Sequence, residues 1–210
     1  MLLIGMLDSP YVRRVAISLR VLALPFEHRA LSVFRTFEQF AAINPVVKAP
    51  TLVCEEGTVL MDSTLILDYA EALAAPRSLM PRKLPERRAA LRIIGLALAA
   101  CEKSVQLIYE RELRPAEKHH EPWVSRVTLQ LNAAYRELES EIAGRDIRME
   151  SERIGAAHIA AAVAWHFTRQ MLPEMIREAE HPRLKLLSAQ AERLPAFAAA
   201  PHGDGTVRSS

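Results

Sequence analysis

The chain has 210 residues, half of them apolar and a quarter charged, with a formal net charge of only +2. This is the composition of a globular protein with room for one large domain or two small ones. Basic residues are scattered rather than clustered, which argues against a nucleic-acid or anionic-membrane partner.

Two further classes drop out. Met1 to Leu7 carries no basic leader and no cleavage-site pattern, so a signal peptide is not expected. The longest apolar run, Ile93 to Cys101, falls well short of the ~18 residues that span a bilayer. The two cysteines, Cys54 and Cys101, stand far apart with no Cys-x-x-Cys pattern. Buried reduced thiols and a cytoplasmic location are expected.

Leu2 to Leu7 reads as a short buried strand. Ser9-Pro10-Tyr11 follows, and then Val12, Val15, Ala16, Leu19 and Leu22 recur at helical spacing, with Arg13, Arg14 and Arg20 on the other side. Ser before Pro is a helix start: a side-chain cap, then a proline where no N–H is needed. It places a hydroxyl at the positive end of a helix, beside the carboxyl end of a strand. Such a hydroxyl can serve as a plain cap, or it can hold an anion such as a thiolate.

A strand over Phe26 to Leu31 and a helix over Phe37 to Ile43 come next. Asn44-Pro45 through Ala49-Pro50 leads into a strand, Thr51 to Cys54. The acidic turn Glu55-Glu56-Gly57 joins it to a partner, Thr58 to Met61, in a hairpin. Asp62-Ser63 then caps a helix whose buried face runs through Leu65, Ile66, Tyr69, Ala70 and Leu73.

The pattern changes near residue 75. Residues 77–85, rich in proline, read as a linker, and everything after them as helix. One long helix runs from Glu86 to Arg114 and stops at Pro115. A second opens at Glu121-Pro122, turns Val127, Leu131, Ala134, Leu138 and Ile142 inward, and ends at Gly144. A third, Ile154 to Met171, is alanine-rich and apolar nearly all round, as suits the centre of a bundle. A fourth spans Arg183 to Arg193. The tail from Ala198 reads as disordered.

These residues together resemble the cytosolic glutathione S-transferases of bacterial type. Ser9-Pro10-Tyr11-Val12-Arg13-Arg14 is similar to the family's serine motif. Asn44-Pro45 through Ala49-Pro50 resembles its approach to a cis-proline, and Asp62-Ser63 its acid–serine pair. The resemblance implies a thioredoxin-like N-terminal domain over residues 1–76, followed by an all-helical domain over 86–210. It departs from the family at Arg153-Ile154-Gly155-Ala156, which lacks the usual Ser or Thr cap with Asp three residues on. Ser151 or Glu152 is an alternative cap.

The resemblance also implies roles. Ser9 would donate to the sulfur of glutathione, which serves as co-substrate. Ala49 would pair its backbone with the cysteinyl part, exposed by a cis bond at Pro50. Asp62 would accept from the γ-glutamyl ammonium, and Ser63 would bind the adjoining carboxylate. Lys48 is either a partner of the glycyl carboxylate or a solvated lysine. Leu7, Phe34, Tyr109 and Trp165 are candidates for a second-substrate pocket or for ordinary core packing. A two-fold homodimer is expected.

No metal is expected. His119-His120 lacks further ligands at a suitable spacing, and His158 and His166 share one helix face as packing residues. No His–Asp arrangement is visible that would make Ser9 a nucleophile. The leading expectation is an enzyme adding glutathione thiolate to a small hydrophobic electrophile. The alternatives are a non-catalytic assembly module on the same fold and a glutathione-dependent peroxidase.

Overall fold

The computed structural model describes residues 1–144 and 154–208. They form two units. Residues 1–79, 154–155 and 192–208 make the first, and residues 80–144 and 156–191 the second. Arg153 and the proposed caps Ser151 and Glu152 lie outside the described residues.

The first unit is built on a four-stranded sheet of order β2-β1-β3-β4, from β1 (Leu2–Ile4), β2 (Glu27–Arg29), β3 (Thr51–Val53) and β4 (Val59–Met61). β2 runs parallel to β1, while β3 is antiparallel to both β1 and β4. Leu3 pairs with Leu52 on one side and His28 on the other. Leu3 and Ile4 point to opposite faces, yet both are fully buried. The central strand therefore reads as a continuous apolar run and not as an alternation. At the β3–β4 hairpin Gly57 takes a positive φ of 88°, which suits glycine at the closing position.

Helix α1 (Pro10–Val21) lays Val12, Val15, Ala16, Leu19 and Leu22 into the core, as its periodicity predicts. α2 (Phe37–Ala41) is a short helix that anchors through Phe40. α3 (Ser63–Leu73) buries Ile66, Leu67 and Ala70, and leaves Leu65 and Leu73 outside. Its inward face thus keeps Ile66 and Ala70 of the expected set and takes Leu67 in place of Leu65 and Leu73.

Two corrections concern charged and irregular segments. Arg13 and Arg14 are not on a solvated face; both are buried. Arg13 Nη1 and Nη2 form a bidentate pair with Glu192 at 2.8 and 2.6 Å, and its Nε donates to the Ala200 carbonyl at 2.8 Å. Its guanidinium lies 5.7 Å from the centre of the Phe197 ring. Glu192 and Ala200 lie 179 and 187 residues away, so helical periodicity carries no trace of them.

The second correction is the tail. After a short helix, α8 (Pro195–Ala198), residues 199–208 return along the first unit. The Arg208 N–H closes this strap onto the Ala199 carbonyl at 2.8 Å, Asp204 pairs with Arg35 at 2.8 Å, and the Val207 N–H donates to His28 at 3.1 Å. Glycine and proline remove helical periodicity here, but they do not prevent side chains elsewhere from anchoring an irregular segment.

The second unit is helical: α4 (Leu84–Glu112), α5 (Glu121–Ala143), α6 (Ala156–Met171) and α7 (Pro182–Ala191). α4 starts inside the expected linker, with Pro85 in its first turn. α6 packs on both α4 and α7, and Ile159 to Trp165 are buried without interruption. Alanines let the neighbouring helices approach. One polar network crosses this interior: the Tyr135 hydroxyl lies 2.8 Å from the Ala164 carbonyl and 2.7 Å from Thr168 Oγ1, which lies 2.7 Å from Ser104 Oγ. Burial pushes the Tyr135 phenol well above its ordinary value, so it stays a neutral donor.

Candidate functional site

Ser9 is the N-cap of α1, half-buried, with extended backbone. Its Oγ accepts from the Val12 N–H at 3.4 Å, and its carbonyl takes the Arg13 N–H at 2.9 Å. The side-chain bond uses a lone pair of Oγ. The O–H proton remains a donor, at the positive end of the helix.

Gly5 ties this helix end to the second part of the site. It sits just past β1 with φ 134°, a conformation that side chains rarely adopt. A Cβ placed on it would stand 2.5 Å from Val12 Cγ2 and 3.2 Å from Ala49 Cβ. The first turn of α1 and the Ala49–Pro50 turn therefore close on the bare Cα of Gly5. Sequence reasoning did not single out this residue. A glycine directly after an apolar strand and four residues before a capping serine was the available signal.

The Ala49–Pro50 bond is cis. The loop that carries it is held from within. Asn44 Oδ1 accepts from the Val46 N–H at 3.1 Å, and its Nδ2 donates to Thr51 Oγ1 at 2.8 Å. Thr51 Oγ1 donates onward to the Lys48 carbonyl at 2.7 Å. Asn44 and Thr51 are both buried, so this chain fixes the backbone on either side of Ala49.

Asp62 and Ser63 stand at the start of α3. Asp62 Oδ1 accepts from the Thr64 N–H at 2.9 Å, while Oδ2 lies 4.0 Å from Lys48 Nζ. Both side chains of that pair are about half exposed, so the contact contributes little by itself. Ser63 is buried, and Arg14 Nη1 donates to its Oγ at 3.2 Å and to Thr64 Oγ1 at 3.4 Å. The guanidinium thus occupies a lone pair of Ser63 and leaves the hydroxyl proton to be donated. Arg14 is a candidate site residue that periodicity did not single out: the helical pattern sets it opposite the apolar face, and its contact with Ser63 depends on the packing of α1 against α3.

The four pocket candidates divide by burial. Leu7 is fully buried in the first unit and Phe34 is exposed there. Trp165 is buried inside the helical unit, 5.5 Å edge-on from the Tyr135 ring and 5.5 Å from His181, while Tyr109 is exposed on α4. Trp165 thus packs in the interior.

The loop before Ser9 carries its own electrostatics. Burial raises the carboxyl of Asp8, opposed chiefly by His202 of the strap. Burial lowers His202, helped by Arg13 and opposed by Asp8. Among the described residues, no cluster of His, Cys, Asp and Glu is arranged to hold a metal ion, and no helix is long and apolar enough to cross a membrane.

Residues 3–78 match the model of the glutathione S-transferase N-terminal domain. An uncharacterised GST-like protein of Escherichia coli, YibF, is 27% identical over 173 residues, covering 82% of this chain and 85% of that protein. A glutathione S-transferase from Methylobacterium radiotolerans, solved in complex with glutathione sulfonate, superposes with a TM-score of 0.86 at 27% identity. That likeness covers 100% of this chain and 95% of the other. A glutathione transferase family member from Pseudomonas fluorescens, with bound S-(propanoic acid)-glutathione, gives a TM-score of 0.78 at 28% identity over 95% of this chain and 98% of the other. With the sheet, the capped helices and the cis-proline turn arranged as described, the chain is similar to the glutathione S-transferases in its N-terminal sequence and in its fold.

Proposed function

We propose that the protein is a glutathione transferase that activates the thiol of glutathione for addition to a small hydrophobic electrophile. The observation that carries this reading is the arrangement around Gly5: the first turn of α1, which Ser9 caps, and the cis turn at Ala49 meet at one glycine. Glutathione-type ligands on two relatives of similar sequence support it.

The chemistry follows from the residues. A free thiol has a pKa near ~8.5, so little of it is ionised at neutral pH. Lowering that value by ~2 units takes ~2.7 kcal/mol of extra stabilisation of the anion. A hydroxyl donated to a charged acceptor contributes ~1.5–3 kcal/mol, and a helix N-terminus adds ~0.3–1 kcal/mol. Ser9 and α1 supply both. Ala49 would pair its N–H and C=O with the cysteinyl backbone, as one more strand does at a sheet edge. Asp62 would take the γ-glutamyl ammonium, and Ser63 with the N–H groups of α3 the carboxylate. Lys48, half-exposed beside Asp62, suits the glycyl carboxylate.

Of the apolar and aromatic candidates, Phe34 and Tyr109 each expose a ring in its own unit against which an electrophile would pack. The proposal includes a homodimer and a reducing, cytoplasmic setting, in keeping with two free buried cysteines. An assembly module of the same fold has no need of a cap whose hydroxyl is kept as a donor, nor of a charge placed beneath Ser63.

Calorimetry with reduced glutathione tests the reading. Binding between roughly micromolar and millimolar, about −8 to −4 kcal/mol, is expected. No heat and no thermal shift at several millimolar would favour the assembly module.

A further inference from the structure

His28 is held at both ring nitrogens. Nε2 lies 2.8 Å from the Gly5 carbonyl, and Nδ1 takes the Val207 N–H at 3.1 Å. A carbonyl only accepts and a backbone N–H only donates. The two partners together therefore select one species of the ring: neutral, with its proton on Nε2. An imidazolium would set an N–H on Nδ1 against the Val207 N–H, donor facing donor.

The two ends of this ring matter for different reasons. Gly5 is the glycine on which α1 and the Ala49–Pro50 turn close, and its own N–H is tied to the Arg29 carbonyl at 3.1 Å. Val207 belongs to the strap of residues 199–208. That strap grips the surroundings of Ser9 at three more points. Ala200 accepts from Arg13 at 2.8 Å, Asp204 pairs with Arg35 at 2.8 Å, and His202 bonds to the backbone of Asp8, the residue before Ser9.

We propose that His28 is a positioning residue for the Ser9 site: its neutral, Nε2-protonated ring fastens the C-terminal strap to the end of β1, and protonation of the ring unfastens the strap at Val207 while keeping the bond to Gly5. The effect on turnover rests on the glutathione reading given above; the fastening does not.

The electrostatic surroundings are consistent with a ring held neutral. Burial lowers the proton affinity of His28, partly offset by the Gly5 bond. The charged residues on its own strand are Glu27 and Arg29, and on the strap Asp204 and Arg208; α1, whose Arg20 reaches the strap, also carries Arg13 and Arg14. Asp204 is taken by Arg35, and Arg20 Nη1 donates to the Arg208 carbonyl at 3.4 Å. The strap has a titrating ring of its own, His202, which faces Asp8, Arg13 and Glu192 at the opposite end.

The test uses the full chain without ligand. Ring-nitrogen NMR at about pH 7.5 should show Nε2 protonated and Nδ1 bare, and the Val207 amide protected from exchange. On titration toward about pH 5, the Val207 protection factor should fall in step with protonation of His28. His28→Gln keeps a donor toward Gly5, lacks the Nδ1 acceptor and does not titrate. It should leave Val207 unprotected at both pH values. His202→Gln should retain the step. A proton on Nδ1 at the higher pH, or protection that ignores His28 titration, would overturn the fastening.

Turnover gives a second readout. At the higher pH His28→Gln should lower kcat about two- to tenfold, the loss of one hydrogen bond, with KM for glutathione little changed. The ratio of wild-type to variant kcat should fall to one as His28 protonates. Equal kcat at every pH would overturn the positioning role. Absence of glutathione binding to the wild type would instead count against the glutathione reading, leaving the NMR result to decide the fastening.

Discussion

Ser9 and Ser63 are both helix-start serines, and each already accepts one hydrogen bond from the protein. Their donors differ. Ser9 accepts from a neutral N–H at a long 3.4 Å, whereas Ser63 accepts from the buried Arg14 guanidinium. A hydroxyl that accepts from a cation becomes a better donor through mutual polarisation, and the charge itself favours an anion nearby. In the proposed function the two serines would therefore take different parts of glutathione: Ser9 the reacting sulfur, Ser63 a permanent carboxylate. Ser9→Ala should leave folding nearly intact, since the long capping bond contributes at the low end of the ~0.5–2 kcal/mol range. Glutathione affinity should change little and turnover should fall about tenfold or more, through loss of one charge-assisted bond. Steady-state kinetics with a generic aryl halide checks this; unchanged turnover at saturation would assign activation of the sulfur to another donor.

At the scale of elements, the candidate site depends on two segments, the first turn of α1 and the Ala49–Pro50 turn, closing on Gly5. Gly5→Ala brings two penalties together. The new methyl meets Val12 Cγ2 at 2.5 Å, and the side chain of Val12 is wholly buried, with little room to yield. Overpacking of this kind costs about 1–3 kcal/mol, and holding a non-glycine residue at positive φ adds about 1–2 kcal/mol. Urea unfolding should show a lower midpoint with an unchanged slope, and glutathione binding should weaken as Ala49 is pushed away. A midpoint equal to that of the wild type would mean that the two segments shift without cost.

The same scale shows which elements the sequence made legible. α1, α3 and α5 follow from local signals: a capping Ser9, a capping Asp62, and apolar residues at helical spacing that the structure buries from Val127 to Ile142. The strap, the burial of Arg13 and the place of Arg14 were not legible. Each depends on a partner distant in sequence: Glu192 and Ala200 for Arg13, Ser63 for Arg14, His28 and Arg35 for the strap. Charged side chains and Gly/Pro-rich runs are ordinarily solvated, so a local reading assigns them to water. Only the tertiary fold supplies the carboxylate or carbonyl that makes burial tolerable.

For the whole molecule, the open question is what covers its exposed apolar side chains. Among the apolar residues of α3 and α4, Leu67 and Ile94 are buried, Leu98 is half-buried, and Leu65 and Leu91 are 64% and 53% exposed. Leu73 on α3 and Leu84 at the start of α4 add to the exposed set. Each unit thus contributes leucines that its own core does not use. Scattered exposed leucines need no explanation, but leucines repeated on one helix with a polar alternative at hand suggest a covered face. A closed two-fold pair is the commonest way to cover one. We therefore expect sedimentation at low micromolar concentration to show a species of twice the 23.5 kDa chain mass. Leu65→Glu together with Leu91→Glu should shift it to the single-chain mass, with helical content retained. Charge on exposed positions costs the folded monomer little, whereas burying it in an interface without a partner is costly. A wild-type species at the single-chain mass would remove the dimer from the proposal, and a double variant that still pairs would move the contact to other residues.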